Sequence, residues 1–192
     1  MELRDIPNLI TILRMVLVVP ILLLIANEQF VHSLLLFAVA GISDGVDGYL
    51  AKRMGWQSRL GSILDPLADK LLLVSTSLLL VWMEMIPYWL VAIIVLRDLL
   101  IVVGGTLYHY RIGEYEMAPS IVSKINTFSQ IAYVLGVILV AAMGWEMAAE
   151  ITVASYIVLT TTLMSGADYV WTWGWFAYHE VNEGREDTRE DG

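Results

Sequence analysis

Long apolar runs separated by short polar segments organise the whole chain. Six of these runs approach or exceed about 20 residues, the length that a helix needs to cross the hydrocarbon core of a bilayer. They occupy residues 9–26, 30–52, 60–83, 87–108, 124–143 and 147–170. The pattern predicts an all-α integral membrane protein with six transmembrane helices. The residues before the first run predict a short N-terminal interfacial helix.

Composition and charge agree with a membrane protein and predict its orientation. Hydrophobic residues make up 58% of the 192 residues, and the loops at residues 27–33, 83–89 and 143–150 contain no Lys or Arg. By the positive-inside rule, both termini face the cytoplasm. We expect a multi-pass protein of the bacterial inner (cytoplasmic) membrane. The chain has no cysteine, which excludes disulfides, and no basic region of the kind that binds nucleic acid.

The end of the chain differs in composition from the rest. Residues 179–192 contain six acidic side chains and two arginines. We expect a disordered acidic tail in the cytoplasm, following a membrane domain at residues 1–178. Trp171, Trp173 and Trp175 precede the tail, and alternating Trp residues at a membrane exit are typical of an interfacial belt. Stacking on a nucleotide base is the alternative for these rings.

Four aspartates lie on either side of the turn between the second and third runs. On helices with about 100° per residue, Asp44 and Asp47 share one face and Asp65 and Asp69 share another. A turn near Gly55 would bring the two faces together. Because unpaired carboxylates among apolar helices are costly, and the cluster has no His or Cys, hard divalent cations such as Mg²⁺, Mn²⁺ or Ca²⁺ are the expected partners.

Other residues near the aspartates have two interpretations each. Gly48 and Ala51 share the acidic face, where small residues either leave room for a ligand or allow close helix packing. Lys52 is either part of the positive-inside signal or a partner for substrate phosphates, and we expect the second. Arg97 lies in the middle of a run, where a charge is either functional or part of a structural ion pair.

The spacing of these residues resembles that of the CDP-alcohol phosphotransferase family. The family pattern is D-x2-D-G-x2-A-R-x7–8-G-x3-D-x3-D, and the chain departs from it only where Lys52 replaces the Arg. Lys keeps the positive charge but lacks the two-pronged guanidinium. The N-terminal segment Ile6-Pro7-Asn8, with Thr11 and Arg14, extends the resemblance, which covers most of the chain outside the acidic tail.

The resemblance implies an enzyme of phospholipid synthesis. Such an enzyme transfers a phosphatidyl group from CDP-diacylglycerol to an alcohol and releases CMP. Asp44, Asp47, Asp65 and Asp69 would hold two divalent metal ions, Mg²⁺ or Mn²⁺, and Asp69 would also be the catalytic base. Residues implied to contact the CDP moiety are Gly48, Ala51, Lys52 and Gly61. The family is usually homodimeric, with a polar cavity that opens to the cytoplasm.

The sequence indicates the acceptor alcohol less clearly than the CDP-activated donor. The segment from Pro119 to Gln130 looks closest to eukaryotic-type cardiolipin synthases, whereas bacterial phosphatidylglycerophosphate synthases tend to carry a second Lys at the position of Asn126. Glycerol 3-phosphate brings a nearly dianionic phosphate that needs several cations, but phosphatidylglycerol carries one charge. The cations available for an acceptor pocket are Arg97, Arg111 and Lys124. The sequence favours phosphatidylglycerol, with glycerol 3-phosphate as the alternative.

A cation transporter is the rival from another class of protein. Transporters of this kind distribute acidic residues over several helices and carry internal repeats. Here the four aspartates lie in one helical hairpin, and no repeat is visible in the sequence. The sequence therefore favours the enzyme.

Overall fold

Six helices form nearly all of the part of the chain that the structure describes. The computed structural model describes the backbone of residues 6–54, 61–112 and 120–190, and the side chains of residues 10–43, 64–105 and 120–172. The helices are α1 (Ile6–Ala26), α2 (Phe30–Met54), α3 (Gly61–Trp82), α4 (Tyr88–Ile112), α5 (Ile121–Met143) and α6 (Ala148–Glu190). The prediction of an all-helical protein is confirmed.

Within the described residues, three helices contain windows that are long and apolar enough to cross a membrane. These windows are Tyr88–Gly105 in α4, Ile121–Met143 in α5 and Ala148–Thr172 in α6. Shorter apolar segments lie at Ile10–Ala26 in α1 and Phe30–Ser43 in α2. Many large apolar side chains face outward, as lipid-facing residues do, including Val16 at 60% and Val102 at 64% exposure.

The first helix shows how burial follows the helical repeat. Its exposed side carries Val16, Val19 and Leu23. Its buried residues recur every three or four positions and so line one face. They are Thr11, Arg14, Val18, Ile21 and Ile25. This buried face is polar near the start of α1 and apolar towards its end, and α1 packs against both α2 and α3.

Three connections between helices use the same backbone turn. After α1, the N–H of Gln29 donates to the carbonyl of Leu24 and that of Glu28 donates to Ile25. The same two hydrogen bonds recur around Glu84 after α3 and around Gly144 after α5. This is the Schellman motif, in which one residue adopts the left-handed conformation. The φ angles are 58° at Glu28, 59° at Glu84 and 64° at Gly144.

Packing divides the chain into two compact units. The first consists of Met1–Val91 and Gln130–Ser155, and the second of Ala92–Ser129 and Tyr156–Gly192. In the first unit, a hydrogen bond of 2.7 Å joins the hydroxyls of Tyr133 and Ser155. In the second unit, the hydroxyls of Thr161 and Thr162 donate to Oδ1 of Asn126 at 3.1 and 2.9 Å. These buried polar groups thus find partners on a neighbouring helix of the same unit.

The two ends of the chain differ from the sequence prediction. Residues 6–26 form one continuous helix, so the described residues contain no interfacial helix separate from α1. At the other end, the backbone of α6 continues to Glu190 where a disordered tail was expected. Extending an existing helix requires no new nucleation, and Glu and Arg are good helix formers. The prediction from local composition did not take into account that the preceding helix removes the cost of nucleation.

The turn after α5 generates a stability prediction. A Cβ added at Gly144 or at Gly136 would meet nothing within 4 Å, but only Gly144 has a positive φ. Gly144→Ala should therefore lower the free energy of unfolding in detergent by about 1 kcal/mol, because L side chains strain the left-handed conformation. Gly136→Ala, the matched control inside α5, should leave it unchanged or raise it. Equal unfolding midpoints for the two variants would contradict this account of the turn.

Candidate active site

Polar side chains join α1 to α3 near the beginning of both helices. Oγ1 of Thr11 donates a hydrogen bond of 2.5 Å to Oδ1 of Asp65. One turn further along each helix, Nη1 of Arg14 donates to Oδ1 of Asp69 and forms an ion pair with it. Since residue numbers increase together on both helices, α1 and α3 run parallel at this contact. Two of the four predicted carboxylates therefore have fixed partners.

Burial is unequal within the ion pair. The side chain of Arg14 is 1% exposed, whereas that of Asp69 is 50% exposed. Thr11 is fully buried, and Asp65 is partly buried. The donors are thus held inside the helix packing, while the Asp69 carboxylate is accessible from outside it. A positive charge at close range also offsets the cost of a carboxylate in an apolar surrounding. This arrangement orients acidic groups towards a ligand.

Several predicted site residues lie outside the described side chains. Asp44, Asp47, Gly48, Ala51 and Lys52 lie on α2, and Gly61 is the first residue of α3. Arg111 lies near the end of α4. The backbone at these positions is helical, and their roles in the site stay predictions. Among the side chains that the structure does describe, no three His, Cys, Asp or Glu residues gather as metal ligands.

Arg97 lies at the centre of a polar cluster in the second unit. Its Nη1 donates to Asp98 at 2.9 Å, and its Nη2 donates to the hydroxyls of Ser123, at 2.8 Å, and Ser165. The guanidinium carbon also lies 5.6 Å from the centre of the Tyr169 ring. Arg97 is 6% exposed. The structural ion pair that the sequence left open for Arg97 is therefore present, with Asp98 as its partner.

The cluster continues along the first turns of α5. Ser120 precedes the helix, and its hydroxyl accepts the backbone N–H of Ser123, as a helix-capping residue does. Lys124 is exposed on the same turn. Asn126 is fully buried, and its carbonyl oxygen accepts the two threonine hydroxyls described above. Two predicted acceptor residues, Arg97 on α4 and Lys124 on α5, thus belong to the same unit. Arg97 donates to Ser123, the residue before Lys124.

The sequence did not assign Thr11 and Arg14 as partners of the aspartates. Both residues stood out only as part of the N-terminal pattern. A signal was available for Arg14, because an arginine inside an apolar run requires an acidic or carbonyl partner. Choosing Asp69 as that partner required the knowledge that α1 and α3 are neighbours and in which register they pack, which the apolar runs do not encode.

The fold and these contacts define a class of protein: a helical membrane protein with acidic side chains held by buried donors. The sequence matches the family model for CDP-alcohol phosphatidyltransferases over residues 4–173. The chain belongs to this family. The matched residues include both donors, Thr11 and Arg14, and all four aspartates.

Named relatives carry two different activities in their names. A chloroplastic CDP-diacylglycerol–glycerol-3-phosphate 3-phosphatidyltransferase 1 of Oryza sativa subsp. japonica is 34% identical over 184 residues, covering 86% of this chain and 56% of the relative. A probable CMP-forming cardiolipin synthase of Drosophila melanogaster is 36% identical over 147 residues, covering 68% and 46%. A Bacillus subtilis CDP-diacylglycerol–glycerol-3-phosphate 3-phosphatidyltransferase is 32% identical over 151 residues, covering 70% and 77%.

These comparisons support the family more firmly than the acceptor. The chain spans about half the length of the rice and Drosophila relatives. Relatives named as cardiolipin synthase and relatives named for glycerol 3-phosphate reach nearly the same identity. Overall similarity therefore does not distinguish these two activities, and the distinction must come from individual residues.

The hydrogen bond from Thr11 generates the first prediction for the site. Thr11→Val keeps the shape of the side chain but removes the donor to Asp65. If Asp65 is a metal ligand, as the family pattern implies, the metal concentration that gives half-maximal CMP release should rise by about tenfold, since groups that orient metal ligands typically matter to this extent. Thr11→Ser, which keeps the hydroxyl, should retain most of the affinity. Ser75→Ala on α3, whose hydroxyl bonds only its own helix in the described contacts, is the control. An unchanged metal dependence in the Val variant would contradict the role of Thr11.

Proposed function

We propose that the chain transfers a phosphatidyl group from CDP-diacylglycerol to a glycerol-type alcohol and releases CMP. The observation that carries this proposal is the pair of contacts from Thr11 to Asp65 and from Arg14 to Asp69. They hold two acidic residues of the family pattern in place, one of them half exposed to a ligand. Membership of the CDP-alcohol phosphatidyltransferase family supports the reaction class.

Divalent metal ions fit the residues of this site. Asp44, Asp47, Asp65 and Asp69 would supply only carboxylate oxygens, the donors that Mg²⁺ and Mn²⁺ prefer. Thr11 and Arg14 would limit the rotation of two of these carboxylates. When bound, two such ions would offset the charge of the diphosphate and stabilise the departing CMP. The family in general depends on divalent metals, which supports this assignment.

Asp69 is the residue that we assign as the base. Its carboxylate would accept the proton of the acceptor hydroxyl while the hydroxyl oxygen forms a bond to the phosphatidyl phosphorus. The bond from that phosphorus to the bridging oxygen breaks, and CMP leaves with the electron pair. The fixed ion pair with Arg14 would hold the carboxylate in one orientation during the transfer. Gly48, Ala51, Lys52 and Gly61 would contact the CDP moiety.

Phosphatidylglycerol is the acceptor that we propose, which makes the protein a cardiolipin synthase. Arg97, Arg111 and Lys124 are the proposed acceptor residues. The charge of Arg97 is already balanced by Asp98, and Asn126, two residues after Lys124 on α5, is neutral. A dianionic phosphate would need more positive charge than this arrangement offers. Glycerol 3-phosphate is the second candidate, since relatives named for it are as similar.

We also propose how the protein lies in the membrane. Each helix has at least 21 residues, which corresponds to about 31 Å and is enough to cross the hydrocarbon core. The three Schellman turns contain no Lys or Arg, which supports their position on the outer side and an active site facing the cytoplasm. Six spans, an inner-membrane location and a homodimer complete the proposal.

Replacing the base tests the mechanism directly. Asp69→Asn keeps the shape of the side chain but cannot accept the proton, so CMP release should fall by at least about 10²-fold, the usual contribution of a general base. The variant should fold and still bind Mn²⁺, because the other carboxylates remain. Glu28→Gln in the turn after α1 is the matched control and should leave the rate unchanged. Near-normal turnover of Asp69→Asn would refute the assignment.

A competition between acceptors tests the substrate. The purified chain would receive CDP-diacylglycerol with phosphatidylglycerol and glycerol 3-phosphate together, and the lipids would be identified by mass spectrometry. We expect cardiolipin to form in excess. Asn126→Lys should shift the products towards phosphatidylglycerophosphate, because it adds a positive charge to the first turns of α5. Phosphatidylglycerophosphate as the sole product of the unaltered chain would overturn the proposed acceptor.

A further inference from the structure

The guanidinium of Arg97 connects three helices of the second unit. Its Nη1 donates to Asp98 on its own helix, α4, at 2.9 Å. Its Nη2 donates to Ser123 on α5, at 2.8 Å, and to Ser165 on α6. The side chain is 7% exposed, and its Nε is buried with no hydrogen-bond partner among the described residues. Arg97 therefore offers little surface to a ligand, although its charge suggested contact with the acceptor.

The hydrogen bond from Arg97 to Ser123 attaches the first turn of α5 to α4. Within that turn, the N–H of Ser123 donates to the hydroxyl of Ser120, and the N–H of Lys124 donates to the carbonyl of Ser120 at 3.1 Å. These two bonds join near neighbours in the chain, so they do not fix the turn relative to another helix. Arg97 supplies a bond that does. Because Lys124 directly follows Ser123, its backbone is held by this bond as well.

Lys124 exposes the charge that Arg97 keeps inside. Its side chain is exposed, and in the described part of the chain its ammonium has no ion-pair partner. Both candidate acceptors, phosphatidylglycerol and glycerol 3-phosphate, carry a phosphate that an ammonium binds. A binding group on a flexible stem needs a backbone that neighbouring hydrogen bonds hold in place. Of these two cations, one is thus enclosed by its own partners and the other is available to a ligand.

We infer that Arg97 is a positioning residue, which holds Lys124 at the acceptor phosphate and does not contact the acceptor itself. This role rests on the proposed function and specifies how Arg97 serves it. The alternative is that Arg97 and Lys124 contact the phosphate together. The two cases differ in a measurable way. Support that acts through Lys124 has no effect once the ammonium is removed, whereas two direct contacts are lost independently.

The two serines provide a matched pair of variants. Ser123→Ala removes the bond from Arg97 to α5, and Ser165→Ala removes the bond from the same nitrogen to α6. Ser123→Ala should raise KM for phosphatidylglycerol about fivefold and leave kcat nearly unchanged, because one hydrogen bond that holds Lys124 is lost. Ser165→Ala should leave both constants nearly unchanged, and Ser123→Thr, which keeps the hydroxyl, should retain the normal KM. Equal effects of the two alanine variants would indicate general packing and overturn the positioning role.

Combined variants distinguish support from direct contact. Lys124→Gln should raise KM for phosphatidylglycerol about tenfold, since a charge-assisted contact is lost. Adding Ser123→Ala to Lys124→Gln should raise KM no further. Arg97→Gln made together with Asp98→Asn, which leaves no uncompensated buried charge, should also have no effect in the Lys124→Gln background. Effects that multiply would show that the residues act independently and overturn the positioning role. If Arg97→Gln does not fold, Ser123→Ala carries the same test.

A spectroscopic measurement tests the link between the helices without turnover. The chain has no cysteine, so Lys124→Cys provides a single position for a nitroxide spin label on the full chain in detergent. Ser123→Ala should increase the mobility of this label, and Ser165→Ala should not. Phe128→Cys, which is exposed one turn later on α5, is the control position, where neither alanine variant should change the mobility. Unchanged mobility at position 124 in Ser123→Ala overturns the positioning role.

The outcomes separate this role from the proposed function. If the unaltered chain releases no CMP with any acceptor, the proposed function fails, and the role of Arg97 in acceptor binding fails with it. If CMP is released and the combined variants multiply in their effects, the proposed function stands and the positioning role alone fails.

Discussion

The ion pair between Arg14 and Asp69 is the contact on which the proposed active site depends. A buried guanidinium in an apolar run is tolerated only with an anionic partner, and an aspartate near a bilayer needs a cationic one. Each residue therefore removes the main cost of the other. Because Arg14 is almost completely buried and Asp69 is half exposed, the pair also fixes a direction, with the acid outward. The Thr11 hydroxyl repeats the arrangement one turn earlier at Asp65.

The contacts of the proposed active site and the hydrogen-bonded turn lie at opposite ends of α1. The Thr11 and Arg14 contacts lie in its first half, and the Schellman turn follows its last residue, Ala26. Between them the buried face is entirely apolar, with Val18, Ile21 and Ile25 packed inside the first unit. The turns after α3 and α5 use the same hydrogen bonds. The contacts that hold the proposed site are thereby separated from the turns, whose hydrogen bonds form between neighbouring residues of the chain.

The sequence predicted the helices well because apolar length and turn composition are local properties. The observed bounds of α1 to α5 agree with the predicted runs to within a few residues. The helical backbone of α6 continues past the predicted run to Glu190, because Glu and Arg residues extend a helix that was nucleated earlier in the chain. The four aspartates stay a prediction from their spacing, and the structure describes the side chains of Asp65 and Asp69 alone among them. The partners of these two could not be predicted. Thr11 and Arg14 depend on which helices are neighbours and in which register, and no single apolar run contains that information.

Arg97 shows why a charge within an apolar run has more than one explanation. The sequence offered a structural ion pair or a functional cation, and the structure contains the ion pair with Asp98. Asp98 and the two serines engage the terminal nitrogens, while Nε is buried with no hydrogen-bond partner among the described residues. Because Asp98 balances the charge of Arg97, this arginine offers a phosphate less net positive charge than an unpaired one would. The structural ion pair therefore limits the functional role that the charge alone suggested.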